Sequence, residues 1–312
     1  MIVFISSLLL CITRAWCRVP ICDLVASTDI ESVYSSWQCD INGIPVNNTC
    51  WPIPWDGLKC SDENEDAVIV SITLDYVSVA GTLPTTIGSL TSLNSFAIVF
   101  TDINGSIPTT IGNIDQLTSL QLGSSFFGSI PSELCQLSGL SYFIVEGNSL
   151  QHEIPSCIGD LVKLQTFSVG FNDLSGHIPT SIGKLTSVRK FALDSNKFSG
   201  TLPSAICLLD TVAQLYLDKN LFSGPLPENI GDMSTLEYLH AGTNMLTGSI
   251  PIGISNMTNL LSLELYENSL TGSIPADLGN AKYIGGIDVR NNFLTGPIPS
   301  SIGQLSRLGR LL

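Results

Sequence analysis

The sequence predicts an α/β repeat protein, a solenoid of stacked coils, and three observations carry that reading. A proline recurs at Pro84, Pro108, Pro131, Pro155, Pro179, Pro203, Pro227, Pro251, Pro275 and Pro299, with spacings of 24, then 23, then 24 throughout. Within one interval, Leu263 and Leu265 stand two apart, the period of a short strand with one buried face. Asn268 and Gly272 follow as turn residues that end the strand. So strict a period marks a solenoid, because one unit buries its apolar face only against its neighbours.

Residues 236–260 and 260–284 match the string L-x-x-L-x-L-x-x-N-x-L-x-G-x-I-P-x-x-I-G-x-L almost throughout. In these residues the chain resembles the plant-type leucine-rich repeats, over about four fifths of its length. The resemblance implies a curved leucine-rich-repeat solenoid. A parallel β-sheet would line its concave face, with short 3-10 or irregular segments on the convex face and an N-terminal disulfide cap. The family's members include receptor-kinase ectodomains, secreted inhibitors of cell-wall-degrading enzymes and extracellular scaffolds.

Residues 1–16 contain an apolar run over 2–12. It is too short to span a bilayer and suits the core of a signal peptide, although no basic residue precedes it. Residues 17–66 break the repeat and form the expected cap, with a short helix over 29–37. Cys22, Cys39, Cys50 and Cys60 make an even set, which points to two disulfides in an oxidising compartment. A zinc site suits them less, since no C-x2-C pair is present. The stretch from Cys50 to Cys60 resembles the family's cap motif with three extra residues. That resemblance implies a Cys50–Cys60 bridge and leaves Cys22 with Cys39. Such a cap covers the apolar face and strand edge of the first coil.

Residues 67–312 form the array, ten repeats and a partial eleventh. Seven repeats carry a turn asparagine, at Asn148, Asn172, Asn196, Asn220, Asn244, Asn268 and Asn292. In the family this side chain points inward and bonds the backbone of adjoining coils, which satisfies buried N–H and C=O groups. Val77, Thr101 and Ser125 stand there in the first three repeats, so these are expected to be irregular. Cys135 and Cys207 are three coils apart, ~15 Å, too far for a disulfide. Cys157 is one coil from Cys135, so a bridge and a pair of free buried thiols both fit. The chain stops five residues into the eleventh repeat, which reads most simply as a piece of a longer product, the alternative being an end that dimerises through its open face. Ile284, Ile287, Val289, Leu294 and Ile298 are then expected to lack a covering coil.

The formal net charge is −14, and Lys59 is the only basic residue between Arg18 and Lys163. No Lys/Arg-rich tract exists, so nucleic acid and anionic membrane are poor partners. No apolar run is long enough for a transmembrane helix. No catalytic constellation, metal cluster or cofactor loop is found, so a non-enzymatic chain without cofactor is expected.

A binding face is better supported. Residues between the strand leucines point outward, and stacking turns each position into a column. Tyr216, Tyr238, His240 and Tyr266 gather there with Asp194, Asp218, Glu264 and Asp288. Aromatics beside charges mark interface centres, though Tyr also simply suits an exposed strand. A second, apolar cluster comprises Val99, Phe100, Ile144 and Phe171. Asn47, Asn104 and Asn256 head glycosylation sequons. The expected function is extracellular, non-catalytic recognition of a protein, peptide or glycan on the concave face, as part of a receptor or receptor-like protein. A secreted hydrolase inhibitor and an adhesive matrix protein are the alternatives. Non-reducing peptide mapping of secreted material should recover a peptide joining Cys50 to Cys60; both residues as free thiols would overturn that pairing.

Overall fold

The structure, a computed structural model, describes residues 58–61, 68–76 and 78–312. The signal segment, the helix over 29–37, Cys22, Cys39, Cys50 and Asn47 lie outside the described residues. The chain divides into two compact units, residues 1–150 and 151–312.

In the second unit the leucine spacing produces what it predicts. Strands Thr166–Ser168, Lys190–Ala192, Gln214–Tyr216, Tyr238–His240, Ser262–Glu264, Gly286–Asp288 and Arg310–Leu311 pair in parallel. Their central residues Phe167, Phe191, Leu215, Leu239, Leu263 and Ile287 fall in one register and are fully buried. Burying each such side chain contributes roughly 1.5–3 kcal/mol. A second row of parallel strands, Asp173–Gly176, Lys197–Thr201, Leu221–Pro225, Met245–Ser249 and Ser269–Thr271, follows the turns. The repeat pattern did not announce this row, because only one residue in each of these strands is a recurrent apolar one. Phe198 and Phe222 stack from it, with centroids 6.2 Å apart.

The prolines open 3-10 turns such as Thr180–Lys184 and Glu228–Asp232. Proline has no N–H to lose there, and its carbonyl accepts the first bond of the turn, as in Ile230 N to Pro227 O at 3.0 Å. The following glycines let coils touch. A Cβ on Gly279 would collide with the Ser301 carbonyl, and one on Gly231 with Gly253.

The asparagine ladder closes each strand. Asn220 Nδ2 donates to the carbonyls of Leu193, Leu217 and Asp218 at 3.0, 3.2 and 3.2 Å, and its Oδ1 accepts from Phe198 N at 3.0 Å. Asn196, Asn244, Asn268 and Asn292 repeat the arrangement. The residue before each asparagine is left-handed, as at Ser195, Lys219, Thr243 and Glu267 with φ of 54°, 54°, 52° and 53°. That conformation costs about 1–2 kcal/mol per residue, which the ladder bonds offset.

The first unit shows the irregularity expected where the asparagine is missing. Ile69–Asp75 pairs in parallel with Ser95–Ser106, which pairs with Ser119–Gly128. These strands run on through the turn, 12 and 10 residues long, with a register shift between Val99 and Asn104. Thr101 is buried and its hydroxyl accepts the Ile103 amide of its own coil at 3.2 Å, while Ser125 is exposed. Asn148 restores the ladder, donating to Leu122 O at 2.7 Å and accepting from Phe126 N at 2.9 Å. Leu58–Cys60 pairs antiparallel with Ile69–Asp75 and so covers its outer edge.

Cys135 and Cys157 are both disulfide-bonded, one of the two states the sequence left open, and Cys60 is disulfide-bonded as well. Cys207 is buried and free, its thiol pushed up to about 11 by desolvation first and the nearby Asp232 second. Ile284 and Ile287 are fully buried and Val289 nearly so, because Arg310 and Leu311 pair with Gly286 and Ile287. The expectation of an uncovered coil is thereby corrected for these three; Leu294 is half-buried, and Ile298 stays 64% exposed beside Phe293 at 66%. Among the described residues no helix is long and apolar enough to cross a membrane.

Asn220→Ala should lower stability by at least ~2 kcal/mol, since it orphans several buried backbone groups. Lys219→Ala, at its exposed neighbour, should stay within ~0.5 kcal/mol. Chemical unfolding of both variants checks the pair; equal shifts would contradict an inward ladder.

Candidate functional site

The outward positions of the second unit form the columns expected from the spacing. Ala192, Tyr216, His240, Glu264 and Asp288 fall in one register across adjacent strands. Tyr238 occupies the neighbouring column, beside Gln214 and Ser262. The structure therefore brings the aromatic residues together. Tyr216 lies 5.1 Å from the His240 ring, centroid to centroid, and Tyr238 meets the same imidazole edge-on at 6.0 Å. Aromatic contacts of this kind are worth about 0.5–1.5 kcal/mol beyond the area they bury. His240 Nε2 is 3.1 Å from Ser262 Oγ. Burial moves the imidazole below its ordinary range; Glu264 opposes this and Arg310 adds to it.

Asp194, Asp218 and Tyr266 occupy the position just past the strands. Asp218 Oδ1 accepts the Gly242 amide at 2.7 Å. Gly242 has no side chain, so the Tyr266 ring settles over it, where a Cβ would clash. Asp194 lies over Gly170 in the same manner. The Asp218 carboxyl is pushed up to about 7. Desolvation is the largest cause, with Glu264 and Asp194 adding repulsion and the amide bond opposing. Burial also raises the Tyr216 and Tyr266 phenols, with nearby acids contributing.

Glu264 and Asp288 behave differently from the other acids. Arg310 Nη2 meets Asp288 Oδ2 at 2.7 Å, and its Nη1 lies 3.4 Å from Glu264 Oε1. Arg290 Nε approaches Asp288 from the other side at 3.5 Å, and its guanidinium lies 5.2 Å from the Tyr266 centroid. Asp288 is 1% exposed beneath these two cations. The acidic half of the patch thus reduces to Asp194 and Asp218, flanked by an arginine-neutralised edge. Sequence reasoning missed Arg310 because it lies in the partial eleventh repeat. Extending the column of Tyr238, Ser262 and Gly286 by one coil would have found it. Arg310 pairs in register with Gly286 and reaches Glu264 two coils away.

The raised Asp218 pKa has a defined sign. Between 3.8 and about 7 the folded state holds a proton that the unfolded chain has lost, so stability from this group falls as pH rises through that window. Asp218→Asn keeps the acceptor for the Gly242 amide and removes the charge. The variant's stability relative to wild type should therefore be highest above pH ~7 and should shrink towards pH ~4. Urea unfolding at both ends of the window measures this; a constant difference would contradict it.

A family model described as Leucine Rich Repeat matches residues 163–185 and 259–281. No curated protein matches the chain. Among solved structures, the plant peptide hormone receptor RGFR1 in complex with RGF2 is 33% identical, with a TM-score of 0.76 over 77% of this chain and 39% of its own. The Arabidopsis receptor kinase HAESA ectodomain, bound to an IDA peptide hormone, is 30% identical, with a TM-score of 0.78 over 94% of this chain and 48% of its own. The chain thus spans less than half of either receptor ectodomain. A plant ice-binding protein shares the fold at 22% identity, with a TM-score of 0.71 over 91% of this chain and 90% of its own. With the strand register, the asparagine ladder and the repeated proline turns, these similarities establish the chain as a plant-type leucine-rich-repeat protein.

Proposed function

We propose that the chain is an extracellular recognition module that binds a peptide or a peptide-like segment of a protein on the solvent face of its parallel strands. The reading rests on one observation above the others. The Tyr216, Tyr238 and His240 rings meet, Tyr266 lies over Gly242 in the next coil, Asp194 and Asp218 stand in the coils before, and Arg290 and Arg310 in the coils after. Aromatic side chains supply buried area at small entropic cost, and the charges on either side supply direction. A peptide backbone and its termini offer donors and acceptors to both. RGFR1 and HAESA, each with a peptide hormone in its printed description, support a peptide over a glycan.

The setting follows from the same reading. An ectodomain of a cell-surface receptor or receptor-like protein suits the two receptor similarities; a secreted hydrolase inhibitor is the second reading. Asn104 and Asn256 are exposed, as glycan acceptors must be, and neither belongs to a strand of the aromatic patch. The Cys50–Cys60 and Cys22–Cys39 bridges complete the proposed cap.

Selection of a displayed random-peptide library on the purified chain tests this. Enriched peptides should bind at least ~30-fold more weakly to Tyr216→Ala and Tyr266→Ala, a loss of ~2 kcal/mol. They should lose affinity at high salt and be indifferent to Lys282→Ala. Enriched peptides that bind both tyrosine variants as well as wild type would overturn the assignment.

A further inference from the structure

A different recess lies in the first unit, on the outward face of its strands. Asp75, Val99 and Gly123 fall in one register across adjacent strands. Gly123 leaves a gap in that column. A Cβ placed there would stand 3.0 Å from Val99 Cγ1 and 3.7 Å from the Glu146 carbonyl. The gap opens into a recess of about 270 Å³, with Val99, Phe100, Gln121, Ile144 and Glu146 around the missing side chain. Its apolar walls and acidic ends stand in one line: Asp75 at one end, Val99 and the Gly123 gap in the middle, Glu146 at the other.

One wall is built from residues that the fold does not require to be aromatic. Phe100 has φ 53° and is 61% exposed; Tyr76 has φ 54° and is 74% exposed. Their rings stack with centroids 4.4 Å apart. Left-handed backbone is uncommon for bulky residues. At the same turn of later coils Phe171 is again aromatic, but Ser195, Lys219, Thr243, Glu267 and Asn291 hold the same φ with polar side chains. The turn geometry therefore accepts small or polar residues, and the exposed Tyr76–Phe100 stack contributes little to folding. Contiguous exposed apolar surface of this kind marks a contact site.

From this geometry we infer that the first unit carries a second binding site, for an extended segment of a partner protein. The segment carries one large apolar side chain with a lysine or arginine two positions to either side. The apolar side chain fills the Gly123 gap against Phe100 and Val99. In an extended segment, alternate residues face one way about 6–7 Å apart, so its flanking cations lean towards Glu146 and Asp75. The charge of the region supports cations: Asp75 and Glu146 flank the gap, and Lys59 is the only basic residue between Arg18 and Lys163. The site is independent of the Tyr216 patch and takes a different ligand pattern.

Three labelled synthetic peptides of equal length test it by fluorescence anisotropy on the whole chain. The first has phenylalanine with arginine two residues to either side. The second replaces the arginines with glutamates, and the third replaces the phenylalanine with serine. The first should bind at least ~10-fold more tightly than either control, and less tightly at high salt. Gly123→Leu fills the gap without removing a wall, and its backbone is not left-handed. Phe100→Thr installs the side chain that Thr243 already carries at the same φ. Each variant should weaken the first peptide at least ~10-fold with an unchanged unfolding midpoint, while Tyr216→Ala leaves it unchanged. If Gly123→Leu unfolds, Phe100→Thr decides. Binding no better than the controls, or equal binding by wild type and the folded variants, overturns the site.

Discussion

The carboxamide of the turn asparagine is the interaction on which the rest depends. A coil that leaves its strand must turn sharply, and the turn strands backbone amides and carbonyls inside an apolar interior. Each one left unpaired costs about 1–3 kcal/mol. Asn220 resolves this with a single side chain, since it donates to carbonyls of its own coil and the one before and accepts an amide from the latter. The bonds hold a left-handed residue in place and set the distance at which strands repeat. Leucine burial supplies most of the driving force, but it is tolerant of small shifts. The ladder is directional, and it fixes the register that turns sequence positions into columns.

Where the asparagine is absent the consequences are visible. Thr101 is inward and bonds the Ile103 amide of its own coil, and the strand Ser95–Ser106 runs through the turn with a shifted register. The ladder resumes with Asn148. The second unit, with the ladder intact, places its outward side chains at regular spacing, and there the aromatic and charged residues converge. The first unit instead offers a gap at Gly123 and a stacked pair at Tyr76 and Phe100. Regular and irregular coils thus present two chemically different surfaces on one scaffold.

Much of this was legible because a fixed period converts sequence into space. Tyr216, His240, Glu264 and Asp288 could be assigned to one column by counting, and the strand register agrees. Counting does not reveal what crosses between columns. Arg310 reaches across two coils to Glu264, and the settling of Tyr266 over Gly242 depends on a missing side chain. Asp288 is likewise paired with Arg310 from the next coil as well as with its near neighbour Arg290. The bonded state of Cys135 and Cys157 also escaped the pattern, because their offset of two positions suits a bridge and a pair of thiols equally. The second row of strands was hidden because its backbone pairing has little apolar signature of its own.

Residue-level hydrogen exchange on the intact chain addresses the central claim most directly. The amides of Phe198, Phe222, Leu246 and Leu270, each bonded to the asparagine of the next coil, should be among the slowest to exchange. The Ile103 amide, bonded to the nearby Thr101 hydroxyl rather than to a ladder asparagine, should exchange at least ~10-fold faster although its side chain is equally buried. Equal protection at Ile103 and the four ladder amides would show that apolar stacking alone holds the turns, and would contradict the account.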